Sequence, residues 1–164
     1  MKYETVGFVD VTPSDPKFLQ WASEVFKFHT SPSQRCSEVG KMTVSDKLAK
    51  GFPENFLQED SSSHSKRLYY GKIVHSTPER EIHEKLGQIS FYDMLFLLWR
   101  GKLSKKYRNI FYVKDVFGIA YHIIWIWHPD TQLYGWWVLV GDFSSSTFSG
   151  SAKCLFFSEK NLKN

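Results

Sequence analysis

The sequence predicts an α+β fold, in which a mainly antiparallel sheet packs against three helices within a single domain, residues 1–164. The strongest indication is a run rich in tryptophan and β-branched residues at about 119–142, too long and too bulky for a loop, which predicts a central hairpin. Three helical patterns lie at about 16–28, 78–87 and 91–100. At 164 residues, one domain can bury about 70% of the surface that its unfolded chain exposes.

The amino-terminal part of the chain predicts one strand and one helix. Tyr3 to Val11 has a strand pattern, and Ser14-Asp15-Pro16 then supplies an N-cap and a proline at the first helical position. Apolar residues from Phe18 to Phe26 recur at helical spacing, so this helix is amphipathic. The residues that follow are irregular, apart from a short helix predicted at about 45–51. A polar tract at about 58–66 has nothing to bury and is predicted to be a mobile surface loop.

Two helix starts follow one another in the middle of the chain. Ser76 and Glu79 have the spacing of a capping box, and this helix is predicted to end near Gly87. Ser90 and Asp93 repeat the box at the start of a segment that is apolar nearly all round, which indicates a buried helix. Gly101 fits the C-cap of that second helix. Further strands are predicted at 68–75, 109–116 and 152–157, with a hydroxyl-rich loop at 144–151 before the last of them.

Alternation along the central hairpin indicates that both of its faces are covered. Ile123 and Trp125 point to one face of an extended chain, while His122 and Ile124 point to the other, so neither face is polar. On the return strand two glycines share a face, which marks a bulge or the close approach of a neighbouring group. His122 lies among apolar neighbours, and we expect a core histidine hydrogen-bonded to a backbone carbonyl.

Composition indicates a cytosolic protein without a membrane-spanning helix. Cys36 and Cys154 lie far apart, and the amino terminus lacks the pattern of a signal peptide, so we expect reduced thiols. The longest apolar run, Met94 to Trp99, is six residues, far below the ~20 that cross a bilayer. The net charge of +4 is uneven, since residues 66–164 carry 14 Lys and Arg against 8 Asp and Glu.

A basic segment between the buried helix and the next strand is the clearest candidate for binding. It puts five cations and one aromatic residue into nine positions: Arg100, Lys102, Lys105, Lys106, Tyr107 and Arg108. These cations can meet an acidic protein face or neutralise phosphates, with Tyr107 available to stack on a base. A solvated connection that keeps the chain soluble is the alternative interpretation.

Catalytic candidates are few. His128 and Asp130 flank the predicted hairpin turn, and a hydrolase or nuclease could combine them with Asp142 or Asp115. Capping of turns explains the same residues without catalysis. No spacing of cysteine, histidine or carboxylate residues matches a metal site, and no nucleophile or phosphate-binding glycine motif occurs, so we expect neither a metal nor a cofactor.

The aromatic excess completes the functional hypothesis. Trp125, Trp127 and Trp136 lie on the central hairpin, and a tryptophan left uncovered there would be an anchor for a partner. The leading hypothesis is a non-catalytic cytosolic binding or regulatory protein, similar in role to an inhibitor or adaptor. It would dock on another macromolecule, a protein with an acidic face, through aromatic anchors rimmed by the cations at 100–108. Nucleic-acid binding through the same segment is the third hypothesis, after the enzyme.

Overall fold

A computed structural model describes residues 1–27, 43–44, 65–115, 117–129, 135–141, 147–150 and 153–162. The strands in these residues are β1 Tyr3–Val11, β2 Thr43–Val44, β3 Lys66–Ile73, β4 Thr77–Pro78, β5 Arg108–Lys114, β6 Ala120–His128, β7 Gly135–Gly141, β8 Thr147–Phe148 and β9 Cys154–Ser158. The helices are α1 Pro16–Lys27, α2 Glu79–Leu86 and α3 Phe91–Trp99. None of these helices has the length and apolar character needed to cross a membrane.

The described strands form one mixed sheet that is mainly antiparallel, in agreement with the predicted α+β fold. Its order is β1-β3-β9-β5-β6-β7-β2, and β4 pairs with β8 apart from it. Two neighbouring pairs in the main sheet, β5 with β9 and β2 with β7, are parallel. The parallel pairing of β5 with β9 places the first residues of both strands at the same end of the sheet.

The predicted central hairpin is the pair β6 and β7. These strands run antiparallel, in register from His122 opposite Gly141 to His128 opposite Gly135. Ile119, the first residue of the predicted range, lies before β6 and is exposed, while residues 130–134 and 142 lie outside the described residues. The glycine prediction is confirmed at Gly141, where a Cβ atom would lie 2.8 Å from Nε2 of His122.

Apolar clusters cover both faces of the central strands. Ile123 and Trp125 of β6 belong to the cluster that contains residues of α1 and α3, whereas Ile124 belongs to the cluster that contains residues of α2. The alternation along β6 therefore predicted the two faces correctly. Burial of Trp125 alone is worth several kcal/mol at about 25 cal/mol per Å².

Two of the predicted helix caps are confirmed. The backbone N–H of Lys17 donates to Oδ1 of Asp15 at 2.8 Å at the start of α1. The backbone N–H of Tyr92 donates to Oγ of Ser90 at 3.2 Å at the start of α3. The carboxylate of Asp93 is buried at the start of α3, which raises its pKa, whereas the backbone hydrogen bond from Ser90 that a capping box requires acts to lower that pKa. Oδ2 of Asp93 also lies 3.0 Å from Nζ of Lys66.

The capping box predicted at Ser76 and Glu79 is wrong. The N-cap of α2 is Pro78, which has no side chain able to accept a hydrogen bond, and Thr77 and Pro78 pair with β8 instead. The carboxylate of Glu79 points into the protein, where it meets His122. Spacing alone predicted the box, but the buried partner of Glu79 attracts its carboxylate more strongly than the exposed first turn of a helix does.

Some predicted segments lie partly or wholly outside the described residues. The helix at about 45–51 does so, and so does most of the polar loop at 58–66, although Lys66 already belongs to β3. The loop predicted at 144–151 contains the short strand β8. The segment predicted to be irregular before residue 45 contains β2, which pairs with β7. Two-residue strands carry too little pattern to be seen in a sequence.

Candidate binding groove

A groove opens at the end of the sheet where β5 and β9 begin and β6 ends. The backbone N–H of Arg108 donates to the carbonyl oxygen of Lys153 at 2.8 Å, so the segments that lead into β5 and β9 lie side by side. Antiparallel pairing of Asn109 with Trp125 brings the end of β6 next to them. The groove has a volume of about 410 Å³ and is lined by Lys105, Lys106, Tyr107, Arg108, Ile126, Trp127, Lys153 and Cys154. We call it the basic groove.

The charges of the basic groove all have one sign. Lys105, Lys106, Arg108 and Lys153 line it together, and no carboxylate is among the described residues of its lining. In the part of the chain that the structure describes, carboxylates pair with other cations, and none of these four forms an ion pair. Cations that converge without a carboxylate raise the local positive potential and attract anions.

The buried side chain of Asn109 fixes the loop that carries Lys105, Lys106 and Tyr107. Asn109 accepts a hydrogen bond at Oδ1 from the backbone N–H of Ser104 at 2.9 Å, and Nδ2 donates to the carbonyl oxygens of Ser104 at 2.9 Å and Trp125 at 3.1 Å. Oγ of Ser104 accepts from the backbone N–H groups of Lys106 and Tyr107. The loop is therefore tied to β6, and its cationic side chains project from a fixed backbone.

Trp127 forms the aromatic wall of the groove. Nζ of Lys105 lies 4.1 Å from the centroid of the Trp127 ring, a cation–π contact. Trp136 packs edge-on against the same residue, with ring centroids 5.1 Å apart. Trp127 is half-buried, so it offers a rigid apolar surface that is still reached from solvent.

Tyr107 reports the positive potential of the site. Its hydroxyl accepts a hydrogen bond from Nζ of Lys72 at 3.1 Å. This hydrogen bond and the charge of Lys72 lower the pKa of Tyr107, and the charges of Lys153 and Lys106 lower it further. The hydroxyl proton remains available to donate toward a ligand.

The structure separates the basic segment into two parts. Arg100 and Lys102 do not reach the basic groove, because they line a second groove of about 440 Å³. That groove also contains two carboxylates, those of Asp10 and Asp15. We call it the mixed-charge groove. Of the six residues predicted to bind at 100–108, four come together and two lie elsewhere.

Two of the three tryptophans predicted as anchors are core residues. The side chain of Trp125 is 0% exposed and that of Trp136 is 6% exposed. Neither offers a contact surface to a partner in this structure, because both pack in the cluster beneath α1 and α3. Trp127 is the one predicted tryptophan anchor that lines the groove.

The residues of the enzyme hypothesis do not come together in the described residues. His128 ends β6 and packs against Trp137, with ring centroids 4.6 Å apart. Asp115 is buried at the opposite end of the sheet, where Oδ1 accepts from the backbone N–H groups of Phe117 and Ile119 and so holds the turn into β6. Asp130 and Asp142 lie outside the described residues.

A buried polar pair lies on the other face of the sheet. Nδ1 of His122 lies 2.6 Å from Oε1 of Glu79, whose side chain is fully buried. The predicted backbone partner of His122 is therefore wrong, because a carboxylate 43 residues away along the chain reaches it first. Tyr112 packs beside the pair, and burial first and the charge of Glu79 second raise its pKa.

In the part of the chain that the structure describes, no group of three His, Cys, Asp or Glu side chains could hold a metal ion. Cys154 is a buried free thiol under the basic groove, and burial raises its pKa, which disfavours the reactive thiolate.

Four contributors to the groove were not predicted from the sequence. Ile126, Lys153 and Cys154 line it, and Lys72 contacts it through Tyr107. No local pattern indicates that β9 lies parallel to β5, and that pairing is what brings Lys153 beside Arg108. Three comparisons, with models of protein families, with curated proteins and with solved structures, found no match to this chain.

Proposed function

We propose that this is a non-catalytic binding protein that docks on an acidic partner protein through the basic groove. One observation carries the proposal: four cations without carboxylate partners converge on a groove that has a half-buried tryptophan in its wall. A solvated, purely solubilising set of cations would be spread over the surface and would not share one groove with an aromatic ring.

The residue types in the groove favour a protein partner. Tryptophan, tyrosine and arginine are the residues most enriched among the energetic hot spots of protein interfaces. The groove contains one of each, Trp127, Tyr107 and Arg108, and three lysines surround them. Surrounding charges of one sign increase the association rate with an acidic surface and select against basic ones.

The proposal includes a regulatory role in the cytosol, as an inhibitor or adaptor would have. Binding through a groove of this kind needs no catalytic group in the protein itself. The described cysteine, Cys154, is a free thiol in the core, which supports this location.

Quantitative affinity purification from the source cells tests the proposal with a matched pair of variants. The groove variant carries Lys105→Glu, Lys106→Glu and Arg108→Glu, and the control carries Arg100→Glu and Lys102→Glu in the mixed-charge groove. We expect a defined protein to be retained by the wild type and by the control but lost from the groove variant. Equal retention by the two variants would contradict the proposal, and so would equal loss from both.

Binding of single-stranded nucleic acid is the second candidate. The observation in its favour is the combination of Trp127 with Lys105 and Tyr107, since basic grooves with aromatic platforms bind single strands. An oligothymidylate titrated at several salt concentrations checks it. Tight binding that weakens steeply with salt, and that is lost in the groove variant alone, would favour nucleic acid over protein.

A further inference from the structure

We infer that the basic groove recognises a phosphorylated residue of the partner, a phosphate monoester dianion, and not a row of carboxylates. The inference deepens the proposed function and rests on it, because it specifies the chemical group that the partner places in the groove. Three properties of the groove favour a phosphate: the amount of positive charge, the predominance of donor atoms, and the origin of those donors in side chains.

The first step is charge. Four cationic side chains share a space of about 410 Å³. A carboxylate brings one negative charge and two oxygens, whereas a phosphate monoester brings a charge of about −1.5 to −2 and three terminal oxygens at neutral pH. One compact phosphate therefore satisfies converging cations that would otherwise need two or more carboxylates in the same small space.

The second step is the kind of polar atoms. The side chains of lysine and arginine are donors only, and Lys105, Lys106, Arg108 and Lys153 supply most of the polar lining. The hydroxyl oxygen of Tyr107 already accepts from Lys72, so what it has left to offer is a proton to donate. A ligand with acceptor atoms alone fits this lining, and a phosphate dianion is such a group.

The third step is the origin of the donors. Nucleotide sites typically hold phosphates with backbone N–H groups of a glycine-rich loop or a helix start. Here the backbone N–H groups of Lys106 and Tyr107 donate to Oγ of Ser104 and are not available. Recognition would come from side chains, as it does where clusters of basic residues bind phosphorylated segments of proteins.

The apolar part of the groove fits the residue that flanks the phosphate. Ile126 and Trp127 line the groove beside the cations. A phosphorylated side chain can place its phosphate among the cations while its neighbour in the partner chain packs on the indole. Ile126 and Trp127 would contribute little to the binding of an isolated phosphate ion. The cations and these apolar residues together therefore favour a phosphorylated peptide.

Chemical-shift titration of the isotope-labelled full chain provides the test, since it detects weak binding and locates it. The probes are N-acetyl-phosphoserine methylamide and N-acetyl-glutamate methylamide at equal ionic strength. We expect the phosphoserine probe to bind at least about tenfold more tightly, because it carries more charge and one more terminal oxygen. The changed signals should be the indole N–H of Trp127 and the amides of Lys105 to Arg108 and of Lys153.

The pH dependence separates a phosphate from a carboxylate. The second phosphate pKa is about 6, so we expect binding of the phosphoserine probe to weaken between pH 7.5 and pH 5.5. The glutamate probe, with a pKa of about 4.3, should not weaken over this range. Arg108→Gln and Lys153→Gln, which replace exposed side chains, should each reduce binding several-fold, whereas Lys102→Gln in the mixed-charge groove should leave it unchanged.

Three results would overturn the inference. If the two probes bind with equal affinity while the partner is still lost from the groove variant, docking through the groove would stand and recognition of a phosphate would be excluded. An oligothymidylate that binds as tightly per phosphate through the same residues would assign the groove to nucleic acid. Absence of any shift at the groove with the phosphoserine probe would overturn the inference whatever the purification shows.

Discussion

The two grooves differ in how their charges are compensated. They have similar volumes, about 410 and 440 Å³, each takes cations from the segment 100–108, and each has a tryptophan in its lining. In the mixed-charge groove, Asp10 and Asp15 accompany Arg100 and Lys102. In the basic groove four cations have no carboxylate among them. Cations from one basic segment of the sequence therefore lie in two grooves that differ in whether carboxylates accompany them.

The carboxylates of the mixed-charge groove already have structural roles. Asp10 pairs with Arg67 at 2.8 Å, which lowers its pKa through the hydrogen bond, and Asp15 caps α1. Arg100 and Lys102 form no ion pair in the described residues either, so the grooves differ in that two carboxylates line one of them and lower its net positive charge. If this distinction holds, changing paired charges should alter stability, and changing the cations of the basic groove should alter binding.

The largest effect on stability is expected from His122→Ala. The change removes the imidazole that pairs with the buried carboxylate of Glu79, and loss of one member of a buried pair costs roughly 3–5 kcal/mol. Urea unfolding measures the difference. His128→Ala on the same strand is the matched control, since it removes only a half-buried ring contact worth about 1 kcal/mol. Similar losses for the two variants would show that the buried pair has no special role.

A pH-dependent effect of similar size is expected from Asp93→Asn. Burial raises the pKa of Asp93 from 3.8 to about 6, against the opposing effect of Lys66. The folded state thus binds a proton more tightly than the unfolded state does. The stability that this proton provides is fully present below pH 3.8 and is lost as pH rises through about 6.

Asparagine mimics the protonated side chain, so Asp93→Asn should match the wild type near pH 3.5 and exceed its stability by up to about 3 kcal/mol at pH 7.5. Partial burial acts to lower the pKa of Lys66, but hydrogen bonds to Asp93 and Glu159 outweigh burial and raise this pKa. Lys66 therefore stays charged. Burial dominates at Asp93 because its carboxylate has no exposed surface, whereas Lys66 keeps some. Unfolding curves across this pH range check the prediction, which fails if the difference does not change with pH.

A smaller loss of stability, with loss of binding, is expected from Asn109→Ala. The change removes the buried amide that holds the loop of the basic groove to β6, at a cost of roughly 2 kcal/mol. The loop would no longer fix Lys105 to Arg108, so affinity for the phosphoserine probe should fall as well. Asn161→Ala, at an exposed position, serves as the control for both measurements. Unchanged affinity would show that the loop does not need this anchor.

The smallest effect on stability is expected in the basic groove itself. Lys106→Gln and Lys153→Gln remove exposed cations that form no ion pair in the described residues, so unfolding free energies should change by no more than about 0.5 kcal/mol. Relief of repulsion among like charges would make the change slightly stabilising. A loss well above 1 kcal/mol in urea unfolding would indicate that these lysines support the fold, and the contrast between the two grooves would then fail.

The sequence predicted those parts of the molecule that depend on local pattern. Alternation along β6 indicated its two faces, and Asp15 and Ser90 indicated their helix starts, because each signal lies within a few residues of its effect. The pair of Glu79 with His122 could not be predicted in this way, since a remote strand supplies the histidine. The groove depends in the same way on the parallel pairing of β5 with β9.

Trp125 and Trp127 show a second limit of sequence analysis. They share one face of β6, yet Trp125 is fully buried in the core cluster, whereas Trp127, near the end of the strand, is only partly buried against that cluster and lines the groove. Alternation indicates the face of the strand on which a side chain lies. It does not indicate which positions along that face are buried by the core.

One spectrum can compare the two grooves directly. A peptide that carries one phosphoserine, titrated into the isotope-labelled protein, reports both sites at once through backbone amide and indole N–H signals. The account predicts that the largest shifts occur at Lys105 to Arg108, Trp127 and Lys153, with little change at Arg100 and Lys102. Shifts of equal size in both grooves, or larger ones at Arg100 and Lys102, would contradict the claim that uncompensated cations define the binding site.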